Sequence, residues 1–514
     1  MSWSEIFPWE RPGAGAPVVR HVHGQVRAAI HAGALGPGAR LPATRVLAAR
    51  IGVARASVVA AYDLLLAEGY AVGRRGAGTF VAADLTGVVD EIDGGETAAT
   101  ADCARPGRVG ALEALAWPAD EILPRPFTAG RTLMDAHARN AWRRSTRRAL
   151  KELEPIHFGY TDPRGEAALR EQIRDYLRAA RGVVCDSDQV IITAGTQHGV
   201  DLAARLLLSP GDAVCLEDPG YPPTYHTLAA VGARIIPTPV DGAGLVIGEG
   251  FGRASAARMA VLTPSHQYPL GVTMSLGRRL DLLQWAREAG AWVIEDDYAS
   301  EFRYSGPPLR SLQGLDGGER VIYLGTLNKT LFPGLRMGFL VAPRSLAPAL
   351  AAARQLIDRQ PSTITQAIVL DFMQSGQFAS HIRRRRLAYR QQRDALVGAL
   401  RDRLAQALEV EAPDQGMHLI AFLREGFSDA AVEAAAREAG VATRAISGFY
   451  REAAPRQGLL LGFSGYPATA MRPAVERLAA AIARFPPKRE LVGRSGSAQT
   501  FDSRASSSRS DDAI

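Results

Sequence analysis

The stretch Val321-Ile-Tyr-Leu-Gly-Thr-Leu-Asn-Lys-Thr-Leu-Phe-Pro-Gly-Leu-Arg336 constrains this chain more than any other. Its first four residues are β-branched, aromatic or aliphatic, the composition of a strand buried on both faces, and Pro333-Gly334 then forces a turn. Such a strand survives only inside a sheet that other elements cover, so the chain must build a large layered domain around it. Lys329 stands where strand meets turn. Partial desolvation and a nearby cation both favour the neutral amine, the form that attacks a carbonyl. Thr326 and Arg336 flank Lys329 at positions suited to anchoring a phosphate.

Motifs upstream point to the same chemistry. Ala291-Trp-Val-Ile-Glu-Asp-Asp-Tyr298 is an apolar strand that ends in carboxylates. Ala194-Gly195-Thr196-Gln197 lies between the strand-like Val190-Ile-Ile-Thr and a helical run from Gly199. Free N–H groups at such a helix N-terminus suit a phosphate. Pro219-Gly-Tyr221-Pro offers a flat ring, and Thr263-Pro-Ser-His-Gln-Tyr-Pro-Leu-Gly271 a second turn-rich loop.

Taken in order, these motifs resemble those of fold-type I aminotransferases. The resemblance implies pyridoxal 5'-phosphate as cofactor, held as a Schiff base by Lys329. It implies Asp296 at the ring nitrogen, Tyr298 at the ring hydroxyl and Tyr221 on the ring face. Gly195, Thr196, Gln197, Thr326 and Arg336 fall to the phosphate. Tyr160, in Phe158-Gly-Tyr-Thr-Asp-Pro-Arg-Gly165, matches the tyrosine that a partner subunit sends to that phosphate, which implies a homodimer. Three positions depart from the pattern. Asn328 replaces the serine before the lysine. Tyr268 replaces the asparagine of the Asn-Pro-x-Gly loop, with His266 and Gln267 as candidates to take over its bond. Leu460, in Gly458-Leu-Leu-Leu-Gly-Phe-Ser464, stands where a transaminase carries the arginine that clamps its substrate's α-carboxylate, leaving Arg444 and Arg456 to approach from elsewhere.

The first 82 residues have another character. They hold nine arginines against four acids, so most of the chain's net charge of +7 is concentrated there. A polyanionic partner is expected. Gly38-Ala-Arg-Leu-Pro-Ala-Thr-Arg-Val-Leu-Ala-Ala-Arg-Ile-Gly52 predicts a helix entered at Pro42 and stopped by Gly52, with Val46, Leu47 and Ile51 inward. A second helix follows over 55–68, and helix, short turn, helix is a DNA-reading arrangement. Residues 69–82 alternate like a small hairpin with Arg74 and Arg75 near its tip. The whole stretch is similar to the GntR-type winged helix, which implies DNA contacts at Arg45, Arg55, Ser57, Arg74 and Arg75. Val59 occupies a position that is Arg in some branches of that family.

Together the halves resemble the MocR subfamily of bacterial transcription regulators. The expected fold class is α/β, a winged helix-turn-helix followed by a pyridoxal-phosphate-dependent transferase fold. The expected domains are a DNA-binding head at 1–83, a flexible linker at 84–120, a body at 121–488 and a disordered tail at 489–514. In the body, apolar strand patterns at 190–193, 213–217, 234–237, 259–263, 292–296 and 321–324 alternate with helices, predicting a mainly parallel sheet. A smaller α+β lobe is expected from about residue 351, and the run Arg383-Arg-Arg-Arg386 is expected on a solvated helix face. Cys103, Cys185 and Cys215 show no metal-ligand spacing, no apolar run approaches the ~20 residues of a membrane span, and the N-terminus lacks a secretory pattern. A cytoplasmic protein without metal is expected. The resemblance implies a regulator of amino-acid, amine or vitamin B6 metabolism that binds operator DNA and senses pyridoxal phosphate or its aldimine with an amino compound. The alternative is a working aminotransferase with a DNA-tethering head.

Overall fold

The computed structural model describes residues 9–11, 13, 17–85, 125–247, 256–306 and 309–485. The chain divides into two compact units, Met1–Ala114 and Leu115–Ile514. Of the expected linker, only Asp84 and Leu85 are described, in the 3-10 turn Ala83–Leu85. The rest of it, and the expected tail, lie outside the described residues.

In the first unit α1 (Val18–His31), α2 (Thr44–Ile51) and α3 (Arg55–Ala67) precede the hairpin of β1 (Ala71–Arg74) and β2 (Gly78–Val81). The helix pair and hairpin appear where the sequence predicts them, and α1 adds a third helix that closes the core. Val22, Val26 and Ile30 from α1 meet Leu47 and Ile51 from α2 and Val58 and Leu65 from α3. Gly52 ends α2 in the left-handed conformation, φ 66°, its N–H bonded to the Ala48 carbonyl. One inward position is corrected: Val46 is 62% exposed, while Leu47 and Ile51 are buried. At 100° per residue, Leu47, Ala48 and Ile51 already fill the core-facing stripe of α2, which turns Val46 outward.

The second unit is built on an eight-stranded sheet. Its strands are β3 (Val190–Thr193), β4 (Ala213–Asp218), β5 (Arg234–Asp241), β6 (Gly244–Leu245), β7 (Ala257–Leu262), β8 (Trp292–Asp297), β9 (Val321–Thr326) and β10 (Gly338–Val341). The order is β3-β10-β9-β8-β7-β4-β5-β6. Strands β9, β8, β7, β4 and β5 pair in parallel, as expected. Strand β10, for which the sequence pattern gave no expectation, inserts antiparallel between β3 and β9. Every residue of β3, β4, β9 and β10 is buried, so the inner strands read as continuous apolar runs and not as alternations.

The C-terminal lobe carries β11 (Leu408–Val410), β12 (His418–Leu423), β13 (Arg444–Ala445) and β14 (Gly458–Gly462), an antiparallel sheet in the order β11-β12-β14-β13. The 28-residue helix Gln377–Leu404 carries Arg383–Arg386, and the expected solvated face holds for the exposed Arg383 and Arg386 and is corrected for Arg384 and Arg385. Arg385 is buried and donates to Asp135 and to the Leu133 carbonyl, Arg384 donates to Ser380 and Arg386 to the Glu301 carbonyl. Four consecutive residues sweep about 300° of helix, so they cannot share one face.

Candidate functional site

Five strands of the large sheet end at one place. The carboxyl ends of β3, β4, β7, β8 and β9 lead respectively into Gly195, Tyr221, Thr263, Tyr298 and Lys329, all of which line a cavity of about 600 Å³. Parallel sheets bind ligands at this edge because the loops there are free to diverge and helix N-termini converge on it. Nine residues expected at a cofactor line this one cavity: Lys329, Gly195, Thr196, Gln197, Tyr221, Asp296, Tyr298, Thr326 and Arg336. Tyr160 does not; it is 79% exposed, with the Arg359 guanidinium 4.3 Å from its ring centre.

Lys329 rides on the short helix Leu327–Thr330, where the Thr326 hydroxyl caps the Asn328 N–H at 3.1 Å. Asn328 fixes that helix from below: its amide donates to the Ala194 carbonyl at 3.2 Å and its oxygen accepts from Met337 N at 2.8 Å. The replacement for serine therefore ties the lysine to the Gly195 turn. Lys329 Nζ lies 3.4 Å from the Gly130 carbonyl, and a Cβ at Gly130, φ 71°, would come within 2.5 Å of that nitrogen. Gly195, φ 138°, opens the helix Thr196–Leu207, and a Cβ there would strike the Asn328 amide at 2.8 Å. The first N–H groups of that helix have no intrahelical acceptor, and Gly195, Thr196 and Gln197 line the cavity.

Burial sets the charges. It pushes the Asp296 carboxyl up to about 7, against the pull of a hydrogen bond from Thr196 and the charge of Lys329. Among the described residues, Asp296 Oδ1, the Tyr298 hydroxyl and the Thr132 hydroxyl are buried without hydrogen-bond partners. The Lys329 amine is held below its ordinary value by desolvation, with Arg336 adding to the effect and Asp296 opposing it. Behind Asp296, burial lifts the Glu217 carboxyl to about 8 although Thr263 donates to it twice. Tyr221 meets Tyr268 edge to face at 5.1 Å.

Two expectations about replacements change here. His266 and Gln267 do not line the cavity; Tyr268 itself does. The Gln267 amide is used on the Pro219 and Tyr268 carbonyls and on Leu270 N, while His266 is packed against His418 at 5.1 Å between ring centres. Arg456 lies over the Phe422 ring at 3.5 Å, whereas Arg444 and Leu460 both line the cavity. The sequence reading missed the segment from Arg125 to Thr132 and the Met417-His418 pair, which supply much of the opposite wall. Their signals were weak, a lone Gly130 and a strand start at His418.

In the first unit, Arg45 on α2, Arg55 at the start of α3 and Arg74 and Arg75 at the hairpin turn are all exposed, and Ser57 is half-buried. Arg55 Nε approaches the Thr44 hydroxyl at 3.4 Å, which draws the first turns of α2 and α3 together. Arg74 lies 4.7 Å from the Phe80 ring across the hairpin. Among the described residues no helix is long and apolar enough to cross a membrane, and no cluster of His, Cys, Asp or Glu is able to hold a metal.

Comparison with known proteins gives two family matches, aminotransferase class I and II over residues 129–478 and bacterial regulatory proteins of the gntR family over 19–81. The chain is 37% identical over 471 residues to the probable rhizopine catabolism regulatory protein MocR of Rhizobium meliloti, covering 91% of this chain and 94% of that one. It is 32% identical over 452 residues to the HTH-type pyridoxine biosynthesis transcriptional regulator PdxR of Corynebacterium glutamicum, covering 87% and 92%. Among solved structures, the kynurenine aminotransferase of Pyrococcus horikoshii superposes with a TM-score of 0.65 at 27% identity, over 74% of this chain and 95% of that one. The α-aminoadipate aminotransferase LysN of Thermus thermophilus gives 0.65 at 27% identity, over 70% and 92%.

Proposed function

The chain belongs to the aminotransferase class I and II family and carries a gntR-family regulatory domain in front of it, the arrangement of MocR-type regulators, and on that basis we propose how it works. It is a DNA-binding transcriptional regulator whose body binds pyridoxal 5'-phosphate and senses it, alone or together with an amino compound. Residues 1–83 act as the head and 121–488 as the sensor, in the cytoplasm. The observation that carries the reading is the convergence on one cavity of a desolvated lysine, a buried carboxyl with an unpartnered oxygen, a helix N-terminus and Arg336.

The residues fit the cofactor. Asp296 Oδ1 offers an acceptor to a protonated ring nitrogen, the Tyr298 hydroxyl a donor to a ring oxygen, and Tyr221 a flat face. The N–H groups at Gly195, Thr196 and Gln197, with Thr326 and Arg336, would hold the phosphate. Bound there, the group supplies an aldehyde for an amine and a ring that withdraws electrons. Lys329 is prepared to react because its desolvated amine gives up its proton readily. Leu460 in place of the α-carboxylate clamp favours sensing over turnover, since a substrate held at one end only is poorly oriented.

We also propose a homodimer. Ile156, Phe158 and Tyr160 are exposed, as are Leu356 and Ile357, and the two segments are joined by bonds from Thr363 to the His157 carbonyl and from Gln360 to the Gly159 carbonyl. Such an apolar area seeks a cover, and a second copy would bring its own Tyr160 toward the phosphate end of the cavity.

The deciding experiment incubates the full chain with excess pyridoxal phosphate, reduces it with borohydride and maps the modified peptide. A protein without lysine-linked cofactor ends the sensor reading. Titrating operator DNA with and without the cofactor then tests the switch, which typically requires ~1 to 3 kcal/mol of coupling and must be reciprocal. Identical DNA curves together with efficient keto-acid production would move the assignment to a working aminotransferase.

A further inference from the structure

The turn that Gly195, Thr196 and Gln197 offer to a phosphate is held from behind by a histidine. The pairing of β3 ends at Thr193, so the N–H of Ala194, the next residue, has no strand to meet. It donates instead to Nδ1 of His198 at 3.2 Å. His198 is the third residue of the helix Thr196–Leu207 and turns back over its own start, as the reciprocal side chain of a capping box does. The Ala194 carbonyl accepts from the Asn328 amide at 3.2 Å. Ala194 is thus gripped at both of its polar groups, by His198 from the helix and by Asn328 from the lysine turn. The Thr193 hydroxyl accepts from Gly195 N at 3.3 Å and donates to the Gly195 carbonyl at 3.0 Å. A Cβ at Gly338 would come within 2.8 Å of Gly195 Cα, so the turn is also closely packed.

We propose that His198 is a positioning residue that couples the phosphate to pH: with a neutral ring it shapes the Gly195 turn to receive the anion, and with a protonated ring it lets that turn go. This rests on the cofactor reading proposed above. An imidazole that accepts at Nδ1 carries its proton on Nε2. A second proton has only Nδ1 to go to, the nitrogen that already faces the Ala194 N–H, and two donors would then oppose each other. Among the described residues, Nε2 is buried without a hydrogen-bond partner, so nothing there rewards a positive ring.

The charges around the ring act in the same direction. Arg354, from the helix Ala347–Asp358, and Arg336, from the turn after Lys329, oppose protonation; Asp358 and, on the histidine's own helix, Asp201 favour it. Both acids are already engaged, Asp201 with Arg205 at 2.8 Å and Asp358 with Arg354 at 3.1 Å. Burial foremost, and then Arg354, hold the His198 ring below the ordinary histidine value. Above about pH 6.5 the ring is therefore neutral and the turn is formed. As pH falls through the folded value, protonation competes with phosphate binding, and affinity drops by up to about tenfold for each further pH unit.

The test uses the full chain and pyridoxamine 5'-phosphate, which carries the phosphate but no aldehyde for Lys329. Its dissociation constant is read by calorimetry from about pH 8 to about pH 5, on both sides of the histidine range. His198→Gln keeps an acceptor for the Ala194 N–H and takes up no proton, so at about pH 8 it should bind within about threefold of the wild type. The ratio of wild-type to His198→Gln affinity should then fall as pH drops below about 6.5, because the phosphate's own titration is common to both and cancels. His198→Ala leaves the N–H unpaired and should bind about ten- to a hundredfold more weakly throughout. Should that variant not fold, the His198→Gln ratio decides alone. A ratio that stays level or rises in acid, or a folded His198→Ala chain that binds as tightly as the wild type, overturns the inference while leaving the cofactor reading intact. A wild type that takes up neither pyridoxamine 5'-phosphate nor pyridoxal phosphate overturns both.

Discussion

The head and the body use charge in opposite ways. In the head, Arg45, Arg55, Arg74 and Arg75 are exposed. In the body, Asp296, Glu217 and Lys329 are desolvated until their proton affinities move, and Asp218, Asp297 and Arg385 are buried in fixed bonds. A solvated arginine acts on a phosphate by releasing counterions and needs no exact setting. A buried group acts through its position and its protonation state, and so depends on every neighbour that fixes them. Disturbing one region should accordingly leave the other's signature in place.

The largest expected contrast comes from Lys329→Ala. Lysine-linked cofactor should vanish from the body entirely, with the fold retained because the bond of Lys329 Nζ among the described residues is a long one, to the Gly130 carbonyl at 3.4 Å, while DNA binding by the head persists. Absorbance and borohydride mapping check the first part and a DNA titration the second. Loss of both together would show that the two regions are not separable.

Next comes salt. If the head makes six to ten phosphate contacts, raising salt from 50 to 200 mM should weaken DNA binding by about 10³- to 10⁵-fold, while cofactor linkage in the same samples hardly moves. A flat salt curve would remove the electrostatic reading of the head.

Acid should act on the body. Burial lowers His266 to about 3 and His418 to about 4, so both stay neutral in the folded chain while the unfolded chain binds protons from about pH 6.5 downward. Stability due to this pair is full above that value and falls as pH drops through it toward the folded values, by a total on the order of 8 kcal/mol. Replacing both histidines with phenylalanine and repeating denaturation from pH 7 to 4 should flatten that part of the profile.

Within the head, core and surface positions should separate in the same way. Leu47→Ala should cost about 2 to 5 kcal/mol of stability, and Val46→Ala within about 0.5 kcal/mol, since one is buried and the other 62% exposed. On DNA affinity, Arg55→Ala should cost ~1 to 3 kcal/mol and relax specificity at one base position, provided it forks onto a base edge. Unchanged affinity and specificity would remove Arg55 as a reader.

Much of this molecule was legible before its structure. Asp296 lies near the end of an apolar strand of the large sheet and Lys329, Tyr298 and Tyr221 each follow one, and an apolar run ending in polar residues is visible in a linear string. The helix pair of the head was visible because Gly52 and the apolar spacing mark its turn. Strand β10 was not, since four residues between Met337 and the turn at Pro343 carry no period of their own. Nor was the inward turn of Arg384 and Arg385, because a run of like residues conceals which of them faces the core.

The sequence by itself determined the elements and the chemical types brought to the sheet's edge, since periodicity and turn residues act locally along the chain. Only the tertiary structure decided that Gly130 meets Lys329, that Asn328 ties the lysine to Ala194, and that Arg444 stands opposite Leu460. Those pairings join residues far apart in the chain, and the register of a sheet and the burial of a charge are properties of the packed whole.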